Sequence, residues 1–217
     1  MRKFVLLSFL FIGLAGCGDN GQMPVVVHDY GAAPLPRPTT QAPVIIPPVQ
    51  PTQPSPGPIP AGWLPARRER AWTTIVIHHS ATDEGNAAIF DKWHREENGW
   101  SGVGYDFVIG NGTDSGDGQV EPTFRWRGQL TGAHTGGTPG NWANEEAIGI
   151  CLVGDFNRYP PTARQRESLV RLIRFLQQRY HIPKSRIYGH GSTPGGHQTD
   201  CPGIRFNITW LKSALPN

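Results

Sequence analysis

The chain has 217 residues, 17% charged and 37% hydrophobic, with a formal net charge of +3. No Lys/Arg block accompanies that small excess, which argues against an electrostatically driven nucleic-acid partner. Three cysteines are too few for a disulfide framework, and the one long apolar run, near the N-terminus, is too short to cross a hydrocarbon core about 30 Å thick.

Met1-Arg2-Lys3 followed by an apolar run from Phe4 to Leu14 has the layout of a secretory signal. The run ends in Leu14-Ala15-Gly16-Cys17, which resembles the bacterial lipoprotein signal. That resemblance implies a signal peptide over 1–16, diacylglycerol on the Cys17 sulfur and membrane attachment through lipid, where each buried methylene contributes about 0.8 kcal/mol. Gly18 stands where an aspartate would mark inner-membrane retention, so the implied place is the outer membrane, facing the periplasm. Cleavage removes Arg2 and Lys3 and leaves a net charge of about +1.

From Gly18 to Ala66 prolines dominate and charge is nearly absent, as in Pro34-Leu35-Pro36-Arg37-Pro38. Such a stretch cannot bury enough apolar surface to offset its ordering entropy, so 17–66 is expected to be a disordered Pro-rich tether. At about 3.1 Å per residue in polyproline II it could reach on the order of 150 Å.

The folded unit is expected at 67–217, a size that suits one domain and one core. Trp72 to Ile77 is a β-branched run that predicts a buried strand. Asn86 to Asn98 carries Ile89, Phe90 and Trp93 at helical spacing. Gly104 to Ile109 and Ala147 to Val153 read as strands, and Cys151 within the latter as a buried small hydrophobe. Thr162 with Gln165 forms a capping-box pattern that opens a helix through Tyr180, striped by Leu169, Ile173 and Leu176. Arg186 to Gly189 reads as a short strand, and Asn207 as the cap of a last helix. Strands alternating with helices indicate an α/β fold.

Reactive side chains concentrate in four places: His78-His79-Ser80 after the first strand, Tyr105-Asp106, His134-Thr135, and His190 followed by His197-Gln198-Thr199-Asp200-Cys201. Imidazole and thiolate are good zinc ligands, and three protein ligands plus water is the usual catalytic set. Neighbours on a strand point to opposite faces, so His78 and His79 do not share one ion, and His79 is expected beside the site rather than in it. Aromatic faces at Trp100 and Trp142 would suit sugar rings, and Arg125 or Arg127 would suit peptide carboxylates.

The segments IVIHHSAT, GWSGVGYDFVI, GAHTGG, AIGICLVGDF and YGHGSTPGGHQTDCPG follow one another in the order seen in type 2 N-acetylmuramoyl-L-alanine amidases, which include the peptidoglycan recognition proteins. The resemblance runs from Trp72 to Leu215. It implies a central mixed β-sheet flanked by helices, with Zn²⁺ held by His78, His190 and Cys201. His197 is an alternative to His190, because the stretch between His190 and Cys201 is longer than the family pattern. The resemblance further implies Tyr105 beside the nucleophilic water, Thr199 at the tetrahedral oxyanion and His134 lining the substrate groove. The implied substrate is peptidoglycan or muropeptides, cut between N-acetylmuramic acid and L-alanine, by a monomer with no nucleic-acid partner. Two other readings are a peptidoglycan-binding module that does not cut, and a cysteine hydrolase with Cys201 as nucleophile and His190 as base.

Overall fold

The computed structural model describes residues 57–216. Cys17, the signal segment and most of the Pro-rich tether lie outside them. Five strands form one mixed sheet in the order β3-β2-β4-β1-β5. They are β1 (Thr74–His79), β2 (Phe107–Ile109), β3 (Val120–Pro122), β4 (Ala147–Leu152) and β5 (Ile187–Gly189). Strand β1 runs parallel to β4 and β5, β2 runs parallel to β4, and β3 alone is antiparallel, on β2. Helices α1 (Ala87–Glu96), α2 (Phe124–Gly128), α3 (Trp142–Glu146), α4 (Ala163–Tyr180) and α5 (Ile208–Ser213) complete the unit.

Every residue of β1 and β4 is buried, as expected for strands covered on both faces. The pleat divides them. Ile75, Ile77, Ile148, Ile150 and Leu152 join Leu169, Leu172, Ile173 and Leu176 of α4 in the larger core. Each such aliphatic side chain contributes about 1.5–3 kcal/mol when fully buried. On the opposite face Val108, Cys151 and Val153 pack with Phe90 of α1 in a smaller cluster. His78 pairs with Cys151 in the parallel register, so it lies on this second face, and His79 on the first.

The caps read at Thr162–Gln165 and Asn207 form as expected, and Asn86 adds a further one at the start of α1. Asn86 Oδ1 accepts from Ile89 N at 2.8 Å, Thr162 and Gln165 form the reciprocal capping box, and Asn207 caps α5. Several boundaries differ from expectation. Strand β1 begins two residues later than Trp72 and takes in both histidines, because pairing with β4 continues to His79↔Leu152. The strand expected over 104–109 is only Phe107–Ile109. The packed unit also starts before 67: Trp63 is 4% exposed, and its carbonyl accepts from Trp126 Nε1 at 2.9 Å.

Asp106 ties β2 to β4. Its N–H donates to Gly149 O at 2.9 Å and its Oδ2 accepts from Gly149 N at 2.8 Å, while Oδ1 has no partner among the described residues. Burial raises this carboxyl from its ordinary 3.8 to about 7, against the opposing Gly149 N–H and Arg125. A carboxyl raised on folding stabilises most below about 4, and that contribution is lost as pH rises toward about 7. Asp106→Asn is therefore expected to match the wild type in thermal stability at pH 4 and to exceed it at pH 8, by on the order of 1–4 kcal/mol. Calorimetric melts at both pH values check this.

Candidate metal centre

Three donors, one of them more than a hundred residues before the other two, meet at the carboxyl ends of the parallel strands. His78 is the next-to-last residue of β1, His190 directly follows β5, and Cys201 comes from the loop beyond. One ligand atom from each lies within 4.8 Å of the other two. Cys201 Sγ is 3.7 Å from His78 Nδ1, and the His78 and His190 ring centroids are 4.6 Å apart. Zinc bonds of about 2.3 Å to sulfur and about 2.0 Å to nitrogen, at a tetrahedral angle, put S and N about 3.6 Å apart. The His78–Cys201 pair already has that spacing.

The electrostatics favour a cation. Burial, reinforced by the neighbouring imidazoles, lowers the pKa of His78 far below its usual value, and burial lowers His190 too. Both rings are therefore neutral near pH 7, with a lone pair to offer. Burial pushes the Cys201 thiol up to about 12 despite the N–H that His79 donates to its sulfur at 3.4 Å, so a thiolate there calls for a positive ion. His190 Nε2 is buried without a hydrogen-bond partner among the described residues, an orphan that a metal ion would satisfy. These observations fit a His₂Cys metal site.

His79 turns away, as the pleat requires: its Nδ1 accepts from Phe156 N at 3.0 Å and its ring packs on Phe156. His197 is not part of the donor set. Its N–H bonds Gly136 O, and its ring lies over Gly136 and Gly137, where a Cβ on Gly137 would come within 2.8 Å of it.

Tyr105 is brought to the site, its ring centroid 5.1 Å from that of His78, and burial holds its hydroxyl well above its usual pKa. It is a donor at every working pH. Thr199 is exposed, and its Oγ1 accepts from Cys201 N at 3.2 Å, which leaves its own hydrogen free to donate. Trp100 is 43% exposed and its ring packs at a tilt against His94, centroids 4.8 Å apart, while His94 Nδ1 accepts from Gly104 N and so anchors the stretch of chain leading to Tyr105.

Three expected substrate contacts are placed elsewhere. His134 is buried, not lining a surface: His78 Nε2 is 3.1 Å from its Nδ1, Thr135 Oγ1 is 2.9 Å from the same atom, and Ala147 O is 3.3 Å from its Nε2. Trp142 carries Arg186 over its ring at 5.5 Å, and Arg186 also bonds Thr73 ahead of β1. His78 lies five residues further along the strand, about 16 Å away at strand rise. Arg125 spends its guanidinium on Val103 O, Thr131 O and Ser101 Oγ, which ties two loops together and leaves little for a ligand.

Asn144 and Gly149 were not singled out by sequence. Asn144 Oδ1 accepts from both His134 N (2.8 Å) and Thr135 N (3.0 Å), and its Nδ2 donates to Thr135 O and Asn141 Oδ1. Gly149 leaves room for the His134 ring, whose Cδ2 lies 2.5 Å from where a Cβ would stand. An asparagine ahead of an apolar run and a glycine within it carry no local signal for such contacts.

The N-acetylmuramoyl-L-alanine amidase family model matches residues 68–204, which include all three donors. The chain is 30% identical over 143 residues to peptidoglycan-recognition protein LB of Drosophila melanogaster, across 61% of this chain and 55% of that protein. It is 32% identical over 158 residues to the endolysin of Enterobacteria phage T3, across 68% of this chain and 92% of the endolysin. Among solved structures it is similar to the endolysin N-acetylmuramoyl-L-alanine amidase LysCS of Clostridium intestinale, with TM-score 0.55 and 31% identity over 66% of this chain and 82% of that one. With the family model matching most of its folded unit, the chain belongs to the N-acetylmuramoyl-L-alanine amidase family.

Proposed function

We propose that this chain is a zinc-dependent amidase that hydrolyses the bond between N-acetylmuramic acid and L-alanine in peptidoglycan or its muropeptide fragments. The observation that carries the reading is the convergence of His78, His190 and Cys201 within 4.8 Å. A bound zinc ion supplies Lewis-acid activation of water and of the scissile carbonyl. The remaining work falls to the chain's own groups. Tyr105, held protonated by burial, donates a hydrogen bond to the nucleophile or to the developing charge. Thr199, fixed by the Cys201 N–H, donates to the tetrahedral oxyanion as a neutral partner. Trp100, 43% exposed beside His94, offers an aromatic surface for a sugar ring.

Two other readings fare less well. A binding-only role leaves the His₂Cys set and the orphan His190 Nε2 without a purpose. A cysteine hydrolase needs a thiol poised to ionise, whereas burial drives Cys201 the other way, to about 12. As part of the same proposal, Cys17 carries the lipid that keeps the domain at the outer membrane within reach of the cell wall, and Cys17→Ser is expected to move the protein from the membrane to the soluble fraction on cell fractionation.

Purified full-length protein incubated with muropeptides is expected to release stem peptides beginning with L-alanine, read by mass spectrometry. Loss of a metal ligand in Cys201→Ala is expected to lower that turnover by more than about 100-fold, exceeding the effect of losing an outer partner. Wild-type turnover in that variant would overturn the assignment. Dialysis against a chelator is expected to abolish cleavage and added Zn²⁺ to restore it, whereas a cysteine–histidine enzyme would survive metal removal.

A further inference from the structure

His134 sits in a slot made for its ring. Besides the room left by Gly149, a Cβ on Gly132 would stand 2.6 Å from His134 Cδ2. Asn144 pins the backbone on either side of the His134–Thr135 peptide. With 6% exposure and no carboxylate among its hydrogen-bond partners, the ring is held neutral, with one N–H and one lone pair. A backbone carbonyl can only accept, so the nitrogen facing Ala147 O carries the hydrogen, and Nδ1 is left as an acceptor. Two groups face that acceptor, the Thr135 hydroxyl at 2.9 Å and His78 Nε2 at 3.1 Å; an unprotonated Nε2 would set lone pair against lone pair, so the contact favours His78 Nε2 as the N–H nitrogen of its own ring, sharing the acceptor with Thr135. The lone pair of His78 is thereby placed on Nδ1, the atom 3.7 Å from Cys201 Sγ.

We propose that His134 is a positioning residue that locks His78 in the Nε2–H tautomer and so presents its Nδ1 to the metal, instead of meeting substrate. The inference rests on the metal-site reading above, but it has a signature of its own. The chain of contacts, Ala147 carbonyl to His134 to His78, sets which nitrogen of His78 is free before any ion arrives. Gly132, Gly149 and Asn144 act one step further out, by fixing where the His134 ring stands.

Two measurements test this. Long-range ¹H–¹⁵N NMR of the zinc-free full-length protein at pH 8 is expected to show His78 as the Nε2–H tautomer, and an Nδ1–H tautomer would overturn the proposal. In competition titrations with a chromogenic chelator, His134→Phe is expected to bind Zn²⁺ about 10–100-fold more weakly than wild type. His134→Asn, which returns a carbonyl oxygen near the Nδ1 position, is expected to recover most of that loss. Gly149→Ala, which displaces the ring without touching its chemistry, is expected to behave as His134→Phe does. Wild-type zinc affinity in a folded His134→Phe protein would overturn the proposal. Should the wild-type protein itself take up no zinc, the amidase reading would fail, and the His78 tautomer would still decide this one.

Discussion

Alternation of side chains along β1 is the constraint from which the rest of the molecule follows. Ile75 and Ile77 point into the core beneath α4, and His78, one step on, points to the other face beside Cys151. One strand thereby contributes to the main core and delivers a candidate metal donor. A slip of a single residue against β4 would exchange the two faces, burying His78 among aliphatic side chains and turning Ile77 toward the site. The burial of every residue in β1 and β4 makes such a slip costly, so the stability of the core and the placement of the donor are the same interaction.

Burial of the donors sets the chemistry of the site. Burial acts on each group in the direction that disfavours its charged form: imidazoles stay neutral, the Tyr105 phenol keeps its proton, and the Cys201 thiol resists ionisation. Neutral imidazoles and a nitrogen left without a hydrogen-bond partner among the described residues fit a cation at the centre of the cluster, which would in turn favour the Cys201 thiolate. Tyr105, kept protonated by burial, and the hydroxyl of exposed Thr199 are both neutral hydrogen-bond donors, which suits stabilising charge that appears only in the transition state.

Around the donors, support comes from the backbone of loops that have no periodicity. His94 anchors Gly104, Arg125 joins the carbonyls of Val103 and Thr131, and Asn144 fixes residues 134–135. Positions that must be glycine mark where two such segments touch: Gly104 lets the Ala133 carbonyl approach to where its Cβ would be, and Gly149 does the same for the His134 ring. These contacts hold Tyr105 and His134 against β1 although neither lies in a regular element.

The amino-acid sequence by itself determined whatever depends on neighbours in the chain. The β-branched run before His78, the Asn207 cap and the Thr162–Gln165 box each act over a few neighbouring residues, and each forms where its pattern stands. The donors could also be named from sequence, though only as a set carried by ordered segments, because no single spacing among His78, His190 and Cys201 dictates a shared ion. Tertiary structure decided the rest. The inclusion of Trp63 in the core, the capture of Arg125 by backbone carbonyls, the removal of Trp142 to the far end of the sheet and the turn of His134 toward His78 are all set by contacts between segments remote in sequence. Side-chain chemistry alone cannot say whether a histidine faces solvent or another histidine; that depends on which strand lies beneath it and which glycine leaves it room.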